Sequence, residues 1–359
     1  MRYAMIMAGG SGTRLWPISR GGVPKQLAPL FGGETLLDAA VQRLDGVVDG
    51  NHLLICMGET HRDAVRDSLP NLADEQLLGE PEGRDTLNAV GFTAAVLQKQ
   101  DPDAVFAVLT ADHVIQPQEV FASCIRTGFD VVEDDPSRLV TFGITPTSPA
   151  TGYGYVQRGE GLPGIDGAYS AIRFVEKPDE ATARSYLDAG TFSWNSGMFV
   201  FHAATVLDAI ARHHPKTAAG LSQIADAWGT SDQQRVLDRV YPTLEKTSVD
   251  YGLMEPATDD DDLTICTIPM NVEWLDVGSW PSLGQTLQTD AAGNRTNANL
   301  CVLDSNGVLA VSDDPSHTIA TIGCEDLVIV HTSSATLVCP ASEAQRVKDL
   351  HNLLDPDLQ

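Results

Sequence analysis

The chain has 359 residues, of which 43% are hydrophobic and 20% are charged, a composition typical of a folded globular protein and not of a disordered, collagenous or coiled-coil chain. Its formal net charge of −26 argues against nucleic acids and anionic membrane surfaces as partners, because both carry the same sign. The six cysteines show no CxxC spacing and no apolar stretch reaches a membrane span, so we expect reduced core thiols and a cytoplasmic protein.

Short apolar runs alternate with helical patterns through the first third of the chain. The predicted elements are a strand at 3–8, a helix at 35–44, a strand at 53–57, a helix after position 60, a helix at 85–99 and a strand at 104–110. This order is typical of a sheet in which parallel strands predominate and helices cover both faces. We therefore predict an α/β fold with a Rossmann-like, doubly wound mixed sheet.

The remainder of the chain changes character twice. Four further strand candidates, at 139–144, 153–157, 172–176 and 197–201, precede polar, helix-prone sequence that extends to about position 241. Beyond position 285, short strands recur about every nine residues, and a final helix begins near Ser342. The spacing predicts a small β-rich domain, built either as a meander or as β-helix coils. We expect a large domain at 1–285 and a small β-rich domain with a terminal helix at 286–359.

The first predicted strand leads into a glycine-rich segment of unusual charge. Residues 1–33 carry four cationic side chains and no Asp or Glu, although the chain as a whole is strongly acidic. Glycines at the carboxyl end of a strand, beside Arg14, Arg20 and Lys25, favour a bound anion. The alternative is a glycine turn with a purely structural role. The prolines stiffen this long loop, which makes that interpretation the weaker one. The segment lacks both the GK[ST] of a Walker A loop and the third glycine of GxGxxG.

Four groups of motifs occur in order along the chain and are specific in combination. They are GGSGTRLWP at 9–17 with PKQ at 24–26, FVEKP at 174–178, WNSGMF at 194–199 and EWLDVGSW at 273–280. With these motifs, residues 4 to about 353 resemble the mannose-1-phosphate guanylyltransferase (GDP-mannose pyrophosphorylase) family of sugar nucleotidyltransferases. LWP, WNSG and DVGSW point to the mannose-guanylyl branch. Only 74 residues follow position 285, so the chain resembles the monofunctional form, in which residues 1–285 would be the catalytic domain.

The resemblance implies an enzyme that transfers GMP from GTP to mannose 1-phosphate, releases pyrophosphate, uses Mg²⁺ and forms a homodimer. The attacking phosphate is already an anion near neutral pH, so charge neutralisation is the main task and no general base is required. Mg²⁺ prefers one or two carboxylates, and Asp112 and Asp276 each follow a predicted strand. We expect both to be catalytic and to bind the metal. A plain turn aspartate is the alternative for Asp112.

The N-terminal loop is the expected nucleotide site. Arg14 and Lys25 are the expected catalytic clamps for the triphosphate and pyrophosphate, Arg by its forked guanidinium and Lys as a point charge. The remaining nucleotide-binding residues implied by the resemblance are Ala8, Gly9, Gly10, Gly12, Thr13, Arg84 and Asp85.

The EKP and WNSG motifs are the expected sugar-phosphate site. The resemblance places the phosphate at Lys177 and the hexose hydroxyls at Glu176 and Asn195, with Gly154 small enough for the sugar to approach the backbone. A solvated strand edge is the alternative for the Glu-Lys pair. His113 follows Asp112 in an Ala-Asp-His segment and is interpreted as loop packing more often than as a catalytic residue.

Asp85 departs from the family pattern. The family commonly has GRNTAP where this chain has GRDTLN at 83–88. Asp85 can cap the helix that follows it. Alternatively, its carboxylate can accept hydrogen bonds from the ring N–H and the exocyclic amine of guanine. The sequence therefore leaves the identity of the nucleotide's base undecided.

Three other functions are compatible with parts of the sequence pattern or disfavoured by it. A related sugar-1-phosphate nucleotidyltransferase with another base or hexose would keep the same fold. A non-catalytic regulatory subunit predicts loss of the charged site, yet Arg14, Lys25, Asp112, Lys177 and Asp276 are all present. A dehydrogenase is disfavoured by the missing third fingerprint glycine.

Overall fold

The secondary structure is built around one large mixed sheet. A computed structural model describes residues 1–10, 12–20, 23–28, 33–314 and 316–358, and Ser11 of the glycine-rich motif lies outside them. The strands are β1 (Arg2–Met7), β2 (Leu53–Gly58), β3 (Leu77–Glu80), β4 (Val105–Thr110), β5 (His113–Gln116), β6 (Arg138–Ile144), β7 (Tyr155–Gly161), β8 (Tyr169–Val175), β9 (Phe192–His202), β10 (Thr264–Pro269), β11 (Glu273–Asp276), β12 (Arg295–Thr296), β13 (Asn299–Leu303), β14 (Leu309–Ser312), β15 (Thr318–Ile322), β16 (Leu327–Thr332) and β17 (Ala335–Pro340). The helices are α1 (Leu36–Gln42), α2 (Arg62–Ser68), α3 (Thr86–Gln100), α4 (Gln118–Asp134), α5 (Glu180–Ala189), α6 (Ala203–His213), α7 (Pro215–Ala227), α8 (Gln233–Val240), α9 (Trp280–Gly284) and α10 (Val347–His351).

Nine of the described strands form the central sheet, in the order β3-β2-β1-β4-β9-β6-β10-β8-β7, and β7 also pairs with β9. β1 is parallel to both β2 and β4, whereas β9 is antiparallel to β4 and β6. The chain runs from β1 through β2 to β3 on one side and then returns to β4 on the other. This reversal leaves a crevice at the carboxyl ends of β1 and β4, where open sheets bind ligands. The predicted doubly wound α/β fold is confirmed.

Helices cover both faces of the sheet. Tyr3 and Met5 of β1 belong to a hydrophobic cluster with α3, α6 and α7, whereas Ala4 and Ile6 belong to a second cluster with α1 and α4. A strand buried on both faces needs apolar residues at successive positions, which is why the first strand is a continuous apolar run. The 17-residue helix α4, which the sequence analysis does not predict, fills the second face.

The C-terminal strands form a β-helix. β12, β14 and β16 are parallel neighbours, and β13 is parallel to β15. Asn299 pairs with Thr318 and Leu309 with Val328, and the partners of each pair are 19 positions apart. A meander pairs consecutive strands antiparallel, whereas these parallel pairs join strands that are not consecutive, as stacked coils do, so the meander alternative is wrong. β16 and β17 close the segment as an antiparallel hairpin.

A third hydrophobic cluster joins the N-terminal loop to this β-helix. It contains Leu15 and Trp16 from the loop, Trp280 from α9, and Leu309 and Val328 from the β-helix. Trp280 is fully buried, and its Nε1 donates a hydrogen bond to the carbonyl oxygen of Trp16 at 3.0 Å. The loop that carries the predicted phosphate ligands therefore rests on the β-helix.

The cysteines and the helix lengths bear on two further expectations. The six cysteines all lie in the described part of the chain and form no disulfide, but Cys301 is exposed, so its predicted place in the core is wrong. Its strand, β13, has an outer face open to solvent. None of the described helices is long and apolar enough to cross a membrane.

Exchanging Trp280 for Phe tests the contact between loop and β-helix. We expect W280F to lower the free energy of unfolding by about 1–3 kcal/mol, because the buried carbonyl of Trp16 loses its donor. Urea unfolding followed by circular dichroism measures the change. The control L353A alters a side chain that is 83% exposed and should change stability by less than about 0.5 kcal/mol. Wild-type stability in W280F would show that this bond does not hold the loop.

Candidate active site

Two adjoining cavities open in the crevice at the carboxyl ends of β1 and β4. The larger has a volume of about 460 Å³ and is lined by Met7, Gly9, Gly10, Cys56, Glu80, Gly83, Asp85, Thr86, Ala89, Thr110, Asp112 and Lys246. The smaller has a volume of about 190 Å³ and is lined by Thr110, Asp112, His113, Gly152, Tyr153, Gly154, Glu176, Asn195, Ser196, Gly197, Asp250, Trp274 and Asp276. Thr110 and Asp112 line both, so Asp112 stands where the two cavities meet.

A cavity of about 620 Å³ lies elsewhere, beside Gln116 and Asn271. Among its described lining residues Glu273 is the one ionisable group, so this cavity gathers no cluster of charge. The crevice is the better candidate for a reaction between phosphates because it combines carboxylates, a buried lysine and glycines.

A partly buried ion pair links the N-terminal loop to Asp112. Lys25 Nζ donates to Asp112 Oδ2 at 2.6 Å and to the carbonyl oxygen of Val277 at 3.3 Å. Gly12 has a φ of +60°, and a Cβ there would lie 2.4 Å from Ser19 Oγ and 2.9 Å from Lys25 Cβ, so glycine allows the two arms of the loop to approach. Burial works to raise the pKa of Asp112, but His113 and Lys25 hold it below its ordinary value. Asp112 is therefore a carboxylate at neutral pH.

Strand pairing brings Asp276 beside Asp112. β5 and β11 are antiparallel, with Asp276 opposite His113, and ligand atoms of Asp112, His113 and Asp276 all lie within 4.8 Å of one another. His113 Nδ1 accepts a hydrogen bond from Trp274 Nε1 at 3.2 Å and lies 2.6 Å from Thr110 Oγ1. This pattern assigns the ring proton to Nε2, which lies 3.7 Å from Asp112 Oδ1.

His113 is consequently a neutral neighbour of the carboxylates. Its burial lowers its pKa, so the ring is uncharged near neutral pH. A protonated Nε2 cannot be a metal ligand, which leaves the oxygens of Asp112 and Asp276 as the groups able to hold a cation. Two carboxylates are the protein contribution that Mg²⁺ prefers.

Glu176 of the predicted Glu-Lys pair lines the smaller cavity, whereas Lys177 lines neither cavity. Glu176 is buried, with its side chain 5% exposed, and its Oε1 accepts a hydrogen bond from Lys177 Nζ at 2.7 Å. Lys177 has a φ of +44°, a left-handed conformation that costs a non-glycine residue about 1–3 kcal/mol and is concentrated at functional sites. A Cβ at Gly154 would lie 2.4 Å from Glu176 Oε2. Gly154 therefore makes room for the Glu176 carboxylate itself.

Asn195 is held in one orientation by protein groups. Its Oδ1 accepts from Thr141 Oγ1 at 2.8 Å and from the Gly197 backbone N–H at 3.2 Å, and its Nδ2 donates to Asp250 Oδ1 at 2.8 Å. Asp250 lies outside the motifs from which the site is predicted. Burial and the charge of Glu176 raise the pKa of Asp250 to about 7.

The larger cavity contains a carboxylate that the sequence analysis missed. Glu80 ends β3 and is 9% exposed, and its Oε1 accepts a hydrogen bond from the Tyr241 hydroxyl at 2.6 Å. The sequence signal that could have indicated Glu80 is an acidic residue at the end of an otherwise apolar strand. Asp85, in contrast, is exposed and its Oδ1 accepts from the Thr86 backbone N–H at 2.8 Å, so it caps α3. Lys246 also lines this cavity and was not predicted.

Six of the predicted nucleotide ligands line neither cavity, namely Ala8, Gly12, Thr13, Arg14, Lys25 and Arg84. Arg14 is exposed and its Nη1 donates to Gln345 Oε1 at 3.1 Å, while Arg84 Nη2 lies 3.3 Å from Glu82. Ala8 is buried, and Thr13 begins a single 3₁₀ turn. A role for either arginine on phosphate requires its side chain to leave its present partner.

Two family models match the chain. The nucleotidyl transferase model matches residues 3–293, and the MannoseP isomerase/GMP-like beta-helix domain model matches residues 298–354. The match of the second model agrees with the stacked coils described above.

Proteins of known name are similar over almost the whole chain. Mannose-1-phosphate guanylyltransferase of Klebsiella pneumoniae is 37% identical over 354 residues, which cover 97% of this chain and 73% of that protein. Xanthan biosynthesis protein XanB of Xanthomonas campestris pv. campestris is 36% identical over 352 residues, which cover 96% of this chain and 72% of that protein. The crystal structure of mannose-1-phosphate geranyltransferase from Thermus thermophilus matches with a TM-score of 0.85 at 32% identity, over 98% of each chain. The chain therefore belongs to the nucleotidyl transferase family, within its group of mannose-1-phosphate guanylyltransferases, and is a sugar-phosphate nucleotidyltransferase.

Proposed function

We propose that the protein transfers GMP from GTP to mannose 1-phosphate, giving GDP-mannose and pyrophosphate, with Mg²⁺ held by Asp112 and Asp276. The observation that carries the proposal is the meeting of two cavities at Asp112, beside Asp276. One cavity has the size and the glycines for a nucleotide, and the other has polar groups suited to a hexose. The relative from Klebsiella pneumoniae, named mannose-1-phosphate guanylyltransferase, supports this choice of substrates.

The chemistry is an in-line displacement at phosphorus. An oxygen of the sugar phosphate forms a bond to the α-phosphorus of the nucleotide, and the bond from that phosphorus to the bridging β-phosphate oxygen breaks, so that pyrophosphate leaves. When bound, Mg²⁺ would supply positive charge that stabilises the phosphate oxygens. Asp112 and Asp276 would hold the ion. Asp112 lines both cavities, Asp276 lines the smaller one, and their ligand atoms lie within 4.8 Å of one another. Lys25, whose Nζ donates to Oδ2 at 2.6 Å, keeps Asp112 in position.

The two lysines serve different substrates in this proposal. Lys25 belongs to the glycine-rich loop and faces Asp112, so it would neutralise the triphosphate. Lys177 follows β8 and pairs with Glu176, which borders the hexose cavity, so it would bind the sugar phosphate. A homodimer and a cytoplasmic location complete the proposal.

Guanine is favoured by the position of Glu80. Its carboxylate lies in the wall of the nucleotide cavity and is oriented by Tyr241. The ring N–H and the exocyclic amine of guanine are adjacent donors, which a carboxylate can accept together, whereas adenine does not present this pair. Glu80 therefore replaces Asp85 as the proposed base-reading acid, since an oxygen of Asp85 caps α3.

Pyrophosphate release tests the proposed reaction. Release should require GTP, mannose 1-phosphate and Mg²⁺ together, and neither substrate alone should give it. A panel of nucleoside triphosphates and hexose 1-phosphates gives the competing values of kcat/KM. A higher value for another base or hexose would replace the proposed substrates, and no release with any pair would contradict catalysis.

Removing either carboxylate tests the cation site. D112N and D276N should each lower kcat by about 100-fold or more, because each removes part of the charge stabilisation of the transition state. Rates are measured at saturating Mg²⁺ and again with excess chelator, which should abolish turnover. D63N, at an exposed position, is the matched control. Wild-type rates in both variants, or turnover in chelator, would contradict the assignment.

The lysines are distinguished by which KM changes. We expect K25A to raise the KM for GTP and K177A to raise the KM for mannose 1-phosphate, because each loses a charge that faces one substrate. Initial rates are measured while each substrate is varied in turn. K216A removes an exposed lysine on α7 and should change neither KM. A K177A variant altered only in its GTP dependence would show that its assigned role is wrong.

The base-reading acid is identified by a pair of isosteric variants. The ratio of kcat/KM for GTP over ATP should fall about ten-fold or more in E80Q, because Gln presents a donor where guanine also donates. D85N keeps a capping oxygen and should leave the ratio unchanged. A fall in D85N with none in E80Q would return the role to Asp85.

A further inference from the structure

We propose that Asp250 is a second carboxyl group of the hexose subsite, which faces Glu176 and binds sugar hydroxyls together with it. The inference rests on the proposed function, since it takes the smaller cavity to be the hexose subsite. It assigns a substrate-binding role to a residue that none of the sequence motifs contains.

Asp250 occupies an unusual place in the backbone. It begins a single π-helical turn, Asp250–Met254, in the connection between α8 and β10. Such turns are rare and occur frequently at functional sites. The turn brings Asp250 into the wall of the smaller cavity, together with Gly154, Glu176 and Asn195.

The hydrogen bonds around Asn195 leave Asp250 with an open acceptor position. Both ends of the Asn195 amide are engaged, the Oδ1 by Thr141 and Gly197 and one Nδ2 hydrogen by Asp250 Oδ1. These bonds fix the Asp250 carboxyl through its Oδ1. No side chain in the described part of the chain donates to Oδ2, although Asp250 lines the cavity. Besides its own backbone N–H, the Asp250 carboxyl therefore has an acceptor position open to a ligand.

Asp250 and Glu176 form an asymmetric pair. The titratable groups around the cavity are Glu176, Lys177, Asp112, His113, Tyr153, Tyr251 and Asp276, with Glu255 Oε1 accepting from the Glu176 backbone N–H. Lys177 compensates the charge of Glu176 directly at 2.7 Å, whereas burial and Glu176 raise the pKa of Asp250 to about 7. The Glu176 carboxylate accepts hydrogen bonds, and Asp250 near neutral pH both donates and accepts. Neighbouring sugar hydroxyls, which also donate and accept, fit such a pair.

Steady-state kinetics of Asp250 variants test the inference. D250A should raise the KM for mannose 1-phosphate about ten-fold or more and leave the KM for GTP within about two-fold, because only sugar contacts are lost. D250N retains an acceptor for Asn195 and a donor for the sugar, so its KM should rise less. D260N is the control, since Asp260 is 10% exposed, bonds Arg212 and His213, and lines neither cavity.

The pH dependence gives a readout that a purely structural role would not change. The wild-type KM for mannose 1-phosphate should rise as the pH increases through about 7, because Asp250 then becomes a second anion facing Glu176. D250N cannot ionise and should lack this rise. The phosphate of the substrate titrates near pH 6 in every variant, so the difference between the two enzymes isolates Asp250.

The outcomes separate this inference from the proposed function. An unchanged sugar KM in D250A, or equal changes in both KM values, would overturn the inference while wild-type turnover upholds the function. If wild type makes no product from GTP and mannose 1-phosphate, the proposed function fails, and the variants are assayed with the hexose 1-phosphate that the substrate panel identifies. If circular dichroism shows D250A unfolded, D250N and its pH profile decide.

Discussion

The ion pair between Lys25 and Asp112 is the contact on which the geometry of the site depends. It joins the glycine-rich loop to the turn after β4, and a second bond from Lys25 reaches the carbonyl oxygen of Val277 after β11. Three segments distant in sequence are thus fixed against one another. The same lysine favours ionised Asp112 at the point where the two cavities meet. Because Lys25 and Asp112 are in contact there, phosphate binding and cation binding are both proposed where the two cavities meet.

The C-terminal segment holds the cationic N-terminal loop in place. The chain is strongly acidic overall, yet its N-terminal loop is cationic. Arg14 donates to Gln345 in the 3₁₀ helix after β17, and Arg20 donates to Ser334 between β16 and β17 at 2.6 Å, so both arginines are held by the C-terminal segment. Trp280 anchors the same loop through Trp16. The β-helix therefore supports the loop expected to meet the triphosphate, besides completing the fold.

Sequence patterns predicted those features that depend on local order. The first strand was predictable because both faces of β1 are buried, which produces an unbroken apolar run. Helix α4 was missed, although Phe121, Ile125 and Phe129 recur at four-residue spacing on its buried side. The approach of Asp276 to Asp112 depends on the long-range pairing of β5 with β11, which no local pattern encodes. Glu80 and Asp250 were missed because a lone acid gains its role only from the cavity around it.

The central claim is that Asp112 and Asp276 form one cation site between a nucleotide cavity and a hexose cavity. Anomalous diffraction from crystals soaked with Mn²⁺ and a non-hydrolysable GTP analogue tests it most directly, because Mn²⁺ takes oxygen ligands as Mg²⁺ does. We predict an anomalous peak shared by the carboxylates of Asp112 and Asp276, and its loss in D276N crystals. Nucleotide bound in the larger cavity with no peak at these carboxylates, or a peak on His113 Nε2, would contradict the claim.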